Sequence, residues 1–168
     1  MKKVIFPLAI IGMLATACGS KESSETEQAE QTEAVTQEAE EVPAVAEVTI
    51  EANDQMKYNL DRIDVKEGQM VRLTLKHVGT LPVEAMGHNW VLVKPGTDKE
   101  AFAAAAMNAK ESGYIPADFE VSIIAHTDMI GGGAETTIEF AAPAKGFYSY
   151  FCSFPGHIGF MKGTFYVN

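Results

Sequence analysis

The chain has 168 residues and carries 13 Lys and Arg against 23 Asp and Glu, a formal charge of −10. That length holds one ordinary domain with extra segments at its ends. The negative charge and the lack of a basic patch exclude a nucleic-acid binder, and four histidines and two cysteines leave little material for a multi-centre metalloenzyme.

Met1-Lys-Lys3 supplies a positive start, followed by an apolar run from Val4 to Leu14 that Pro7 interrupts. The run is too short to span a bilayer, which takes about 20 apolar residues, and suits the core of a signal peptide. It ends in Leu14-Ala-Thr-Ala-Cys18, small residues before a cysteine, which resembles a bacterial lipobox. Residues 1–17 are therefore expected to be a lipoprotein signal, with Cys18 acylated after cleavage; two or more acyl chains anchor stably where one does not. Cleavage removes Lys2 and Lys3 and carries the charge from −10 to −12.

From residue 18 to 46 the composition is Glu, Ala, Thr, Gln and Ser, without an aromatic residue. Such a stretch buries too little apolar surface to offset the entropy of ordering, and it reads as an acidic disordered tether. A solvated helix over Glu25–Glu41 is the competing reading, because Glu, Ala and Gln favour helix. As a coil the tether would reach about 30 Å.

Residues 47–168 change character to short β-rich runs between turn residues. The expected strands are Val48–Glu51, Arg62–Val65, Met70–His77, Asn89–Val93, Val121–His126, Glu135–Phe140, Gly146–Phe151 and Gly163–Val167. Val71-Arg-Leu-Thr-Leu-Lys76 alternates apolar and polar with period two, as a half-buried strand does. Eight short strands in so few residues predict an all-β sandwich. One segment departs from the pattern: from Asp98 to Ser112, Phe102, Ala103, Ala106, Met107 and Lys110 recur at helical spacing, with Thr97 or Asp98 as cap and Gly113 as stop. Gly131-Gly-Gly133 reads as a tight turn. Trp90 reads as core.

The chemistry is concentrated near the C-terminus, in Cys152-Ser-Phe-Pro-Gly-His157-Ile-Gly-Phe-Met161, with a second imidazole far upstream in Met86-Gly87-His88-Asn89. One thiolate, two imidazoles and a thioether form the donor set of a blue-copper centre, in which a trigonal plane serves both Cu(I) and Cu(II). Cys152 by itself would be an inert buried thiol, and Met161 by itself core packing; their joint spacing argues otherwise. His77 and His126 are expected not to be ligands, with His77 partly buried near the site. Met86, Ile158, Gly159 and Phe160 are apolar, flank the candidate ligands, and either roof the core or form a docking patch.

The run from Cys152 to Thr164 closely resembles the ligand loop of the azurins, bacterial cupredoxins that carry single electrons. Asn53-Asp-Gln-Met-Lys-Tyr-Asn59, Leu75-Lys-His-Val-Gly-Thr-Leu-Pro82, Met86-Gly-His-Asn-Trp-Val-Leu92 and Ala125-His-Thr-Asp-Met-Ile-Gly-Gly-Gly133 resemble the same family in the same order. The resemblance implies a cupredoxin-like Greek-key β-sandwich or barrel with one inserted flap helix, and a single copper ion. It implies His88, Cys152, His157 and Met161 as ligands, with the Gly87 carbonyl as a distant axial group. It further implies that Asn89 ties the ligand segments together, and that the N–H groups of Asn89 and Phe154 donate to the sulfur. Azurins usually carry a disulfide near the N-terminal end of the barrel, and neither partner is present here.

Together these readings predict a lipid-anchored type 1 copper protein of the bacterial cell envelope, not an enzyme, held at the outer membrane facing the periplasm or exposed at the surface. A monomeric domain would pass electrons between partners such as c-type cytochromes or a terminal oxidase or reductase. Copper sequestration without electron transfer is the alternative; its usual Met-rich or His-rich clusters are absent, since the eight Met are scattered.

Overall fold

The computed structural model describes residues 44–168. The expected signal peptide, Cys18 and the tether up to residue 43 lie outside them. Among the described residues, nine strands form two sheets. The first sheet contains β1 (Val45–Asn53), β2 (Lys57–Tyr58), β4 (Met70–His77) and β7 (Glu135–Ala141), in the order β2-β1-β4-β7. The second has the order β3-β9-β8-β5-β6, from β3 (Arg62–Val65), β9 (Lys162–Val167), β8 (Gly146–Phe151), β5 (Val91–Val93) and β6 (Ile123–His126). Two pairings are parallel, β1 with β4 and β3 with β9, so the chain crosses between the sheets and does not simply meander. This is the all-β sandwich that the alternation predicts.

β4 shows how the sequence writes the fold. Val71, Leu73, Leu75 and His77 point inward and are buried, while Arg72 faces out. Register places Arg72 opposite Glu47 on one neighbour and Glu139 on the other, and its guanidinium bonds both carboxylates at 2.6 Å. An exposed pair of this kind contributes little stability, and the inward apolar row dominates. His77 is buried because it continues that row.

β5 breaks the alternation. Val91, Leu92 and Val93 are all buried. Leu92 joins the core between the sheets, whereas Val91 and Val93 lie in a second cluster with Phe102, Ala106 and Phe151. That cluster is the underside of α2 (Lys99–Ala106), where the Phe102 ring sits 5.0 Å from those of Phe119 and Phe151. A strand covered on both faces reads as a continuous apolar run.

The expected flap helix is present but shorter. Asp98 caps α2 by accepting from the Ala101 N–H at 3.0 Å. The amides of Asn108 and Ala109 then bond three residues back, to Ala105 and Ala106, which tightens the coil. A separate 3₁₀ turn, Lys110–Ser112, ends at Gly113 with φ 64°. The Ser112 hydroxyl bonds the carbonyls of Ala109 and Ile115, an offer that competes with helical continuation. Met107, expected on the apolar stripe, is exposed.

Other differences are local. β1 starts three residues before the expected strand and ends two after it, and β5 begins at Val91 rather than Asn89. Residues Ala117–Ser122 form a 3₁₀ turn ahead of β6. Two elements had no strong pattern to announce them, the two-residue β2 and the single-turn α1 (Val83–Met86).

Trp90 lies at the centre of the main core, fully buried, within about 6 Å of the rings of Phe140, Tyr150 and Phe165. Among the described residues its indole Nε1–H has no hydrogen-bond partner. A fully desolvated, unbonded indole emits at the blue end of the tryptophan range. Fluorescence of the metal-free protein is expected there, unmoved by iodide; red-shifted, quenchable emission would contradict this core.

Candidate metal centre

Register brings the two ligand segments together. β5 and β8 run antiparallel with Val91 opposite Phe151, and extending that pairing sets Asn89 opposite Ser153. Their groups then close a ring: the Ser153 N–H donates to Asn89 Oδ1 at 2.9 Å, and Asn89 Nδ2 donates to Ser153 Oγ at 2.8 Å. Asn89 Nδ2 also reaches the Gly113 carbonyl at 3.3 Å. His88, one residue earlier, is locked by a two-bond bridge to Ile130, each bond 2.9 Å. Gly87 precedes it in a tight spot, where a Cβ would lie 2.6 Å from the Val83 carbonyl and 2.9 Å from Met129 Sδ.

The downstream segment is equally constrained. Phe154-Pro155-Gly156-His157 forms a turn closed by the His157 N–H to the Phe154 carbonyl at 3.0 Å, with Gly156 at φ 84°. Proline followed by a positive-φ glycine is the type II arrangement. Met161 is buried; its N–H donates to the His157 carbonyl at 2.8 Å and its own carbonyl accepts from the Cys152 N–H at 3.0 Å. Backbone bonds thus tie Met161 to two of the other candidate ligands.

His88, Cys152 and His157 form a buried cluster whose donor atoms all lie within 4.8 Å of one another. Cys152 Sγ is 3.9 Å from His88 Nδ1, 3.6 Å from His157 Nδ1 and 3.9 Å from the Gly87 carbonyl. His88 Nε2 lies 3.0 Å from the Asn53 carbonyl. A carbonyl can only accept, so Nε2 carries the proton and Nδ1 turns its lone pair toward the sulfur.

The family described as copper binding proteins, plastocyanin/azurin family, matches residues 44–168. An azurin of Achromobacter denitrificans is 46% identical over 127 residues, covering 72% of this chain and 83% of that protein. The outer membrane protein H.8 of Neisseria gonorrhoeae is 38% identical over 118 residues, covering 68% of this chain and 63% of that one. The chain belongs to the plastocyanin/azurin family. Among solved structures, reduced auracyanin from Roseiflexus castenholzii is similar at TM-score 0.65 and 35% identity, covering 73% of this chain and 97% of that one. Auracyanin A of Chloroflexus aurantiacus, a blue copper protein, gives 0.66 and 32%, covering 74% and 99%.

The donor set of this plastocyanin/azurin family member fits one copper ion. The Cys152 sulfur lies 3.6 and 3.9 Å from the two imidazole nitrogens, all three buried, so that one copper ion could be bonded by the thiolate and both imidazoles at once.

Electrostatics show what the metal must displace. Burial pushes the Cys152 thiol up to about 11, partly opposed by the N–H groups of Asn89 and Phe154 and by the Tyr58 hydroxyl. Burial also lowers His88 to about 4, against the Asn53 carbonyl, which acts to raise it. His157 falls to about 4 for the same first reason, with the neighbouring His77 imidazole adding to it. The metal-free site therefore holds two neutral imidazoles and a thiol, and metal uptake releases the thiol proton.

The remaining expected residues fall in two groups. His77 is buried with its ring 4.5 Å from that of His88, but both its nitrogens are engaged: Nδ1 accepts from the Gly79 N–H at 3.0 Å and Nε2 faces the Met86 carbonyl at 2.9 Å. His126 is exposed at the end of β6, its Nδ1 facing the Thr127 carbonyl. Neither joins the donor cluster. At the surface, Phe160 is 72% exposed and Gly159 is exposed, while Met86 and Ile158 are half-buried.

Sequence reasoning did not single out Asn53, Tyr58, Ser153 or Thr127. Thr127 Oγ1 accepts from the Trp90 N–H at 2.9 Å, and Tyr58 donates its hydroxyl to the Asn89 carbonyl. The first two lie in the Asn53–Asn59 stretch that matches the family, which was the available signal. Asn53 acts through its backbone carbonyl, which no residue type announces.

The two histidines set the acid stability of the metal-free protein. Unfolded imidazoles titrate near 6.5 and the folded ones near 4. Between those values the unfolded chain binds more protons, so stability falls as pH drops from about 6.5 to about 4 and these groups add nothing further below that. Apoprotein melting temperatures are expected to hold steady between about pH 7 and 8 and decline as pH falls through this window. A flat profile from pH 7 to 4 would contradict the assignment.

Proposed function

We propose that this protein is a type 1 (blue) copper electron carrier of the bacterial cell envelope, anchored through an acylated Cys18. The observation that carries the reading is the buried His88–Cys152–His157 cluster with Nδ1 of His88 turned toward the sulfur. When bound, copper supplies the one-electron couple. The protein supplies a donor set that suits both oxidation states and a frame that keeps those donors still.

His88, Cys152 and His157 would hold the copper, with the Met161 thioether as a fourth donor and the Gly87 carbonyl, 3.9 Å from the Cys152 sulfur, close by. Asn89 holds the upstream segment against the downstream one, and the N–H groups of Asn89 and Phe154 stabilise negative charge on the sulfur. Orientation of a ligand through its outer partners is general to metal sites. Burial of all three donors excludes water from the site. Met86, Ile158, Gly159 and Phe160 surround the entry to His157 as an apolar docking surface; redox encounters use small contacts, below about 1,200 Å². Partners of the c-type cytochrome or terminal oxidase or reductase class suit such a carrier. The likeness to an outer membrane protein supports the envelope assignment.

Loaded with Cu(II), the full chain is expected to turn blue, to lose the colour on reduction and to show a fast reversible one-electron wave. Cys152→Ser should bind copper without the blue colour while remaining folded; a blue Cys152→Ser protein would refute the thiolate assignment. Met161→Leu should remain blue and shift the couple toward Cu(I) by tenfold or more, about 59 mV upward for one electron. An unchanged potential would remove Met161 from the donor set.

The anchor is tested separately. Cells fed labelled palmitate are expected to yield labelled, membrane-associated protein, and Cys18→Ser should abolish both label and membrane association. Labelling that survives this substitution would place the modification elsewhere.

A further inference from the structure

The β1–β2 hairpin touches the metal centre twice. Its turn residue Asn53 accepts from His88 Nε2 at 3.0 Å. Tyr58, paired with Ala52 across the hairpin, donates its hydroxyl to the carbonyl of Asn89, a buried contact. Tyr58 is 7% exposed and its ring lies 6.0 Å from that of Tyr150. None of the functions assigned above uses its hydroxyl.

Asn89 is held at all three of its polar ends. Its amide N–H acts on the Cys152 sulfur, its side chain brackets Ser153, and its carbonyl takes the Tyr58 hydroxyl. Tyr58 also feels the charge of the sulfur. Burial, then the Cys152 charge, push its phenol well above the usual range, while its hydroxyl helps hold the thiol down.

We propose that the Tyr58 hydroxyl is a positioning group that, by fixing the Asn89 carbonyl, keeps the Asn89 N–H on the Cys152 sulfur and raises the reduction potential of the copper. The proposal rests on the type 1 copper reading above. Reduction adds one electron and places more negative charge on the sulfur, so donors aimed at it favour the reduced state; hydrogen bonding around this sulfur is an established lever on the potential. No proton moves in the step, because the phenol keeps its proton throughout.

The test is Tyr58→Phe in the full-length, copper-loaded protein, which keeps the ring and removes the hydroxyl. The variant is expected to stay blue, with an altered Cu(II) hyperfine splitting and the equilibrium moved at least threefold toward Cu(II). At 59 mV per tenfold for one electron that is a fall of about 28 mV. Tyr150→Phe is the control: it removes a hydroxyl bond to the Leu60 carbonyl at 2.9 Å and should lower the melting temperature without moving the potential. A wild-type protein that never turns blue would remove the copper reading itself. A blue Tyr58→Phe protein with unchanged potential, or an equal shift in Tyr150→Phe, would overturn the role of Tyr58 alone. Wild-type protein with isotope-labelled tyrosine gives an independent check. Its Cu(I)-minus-Cu(II) infrared difference spectrum is expected to contain a label-sensitive tyrosine C–O band, and absence of that band would overturn the proposal whether or not the variant folds.

Discussion

The side chain of Asn89 joins two stretches of chain more than sixty residues apart, and the metal centre depends on that joint. Both of its bonds to Ser153 are buried. A buried amide left half-satisfied costs about 1–3 kcal/mol, and members of such networks reinforce one another. The arrangement therefore forms as a unit. Strand register delivers the two residues to each other, since Asn89 and Ser153 extend the pairing of Val91 with Phe151. His88 and Cys152 sit immediately before them in the chain. The sheet thus aligns the donors, and the amide holds them there.

Preorganisation and desolvation act together at this site. The burial that lifts the Cys152 thiol and lowers both imidazoles also makes a positive ion the natural occupant once the thiol proton leaves. A bound cation is the largest charge in such a site and reverses the local preference, so that the thiolate becomes the stable form. The Asn53 carbonyl contributes by choosing the tautomer of His88 in advance. His77, with both nitrogens engaged, takes up space beside the ligands without competing for the metal.

The legibility of these features in the sequence follows their physics. β3 and β4 were readable to the residue because each has one buried face and clear turns at its ends, and β8 because its aromatic run lies between Gly146 and the Cys152 loop. The donors were readable because three of the four lie in one short run of distinctive chemistry. β2 was not, as two residues cannot show a period. The flap helix was over-extended because Ala, Met and Lys at helical spacing give no sign that the Ser112 hydroxyl competes for the backbone. Asn53 escaped notice because its contribution is a carbonyl, and Tyr58 because a tyrosine in a family-like stretch reads as packing until the Asn89 carbonyl is found against its hydroxyl.

The bond from the Cys152 N–H to the Met161 carbonyl closes the downstream segment on itself, with the β8–β9 pairing continuing directly behind it. Three of the donors therefore belong to a single looped cassette fastened at its neck, and only His88 comes from the scaffold. A change of spacing within that loop would therefore move three donors relative to His88 while the strand pairing beneath keeps its register.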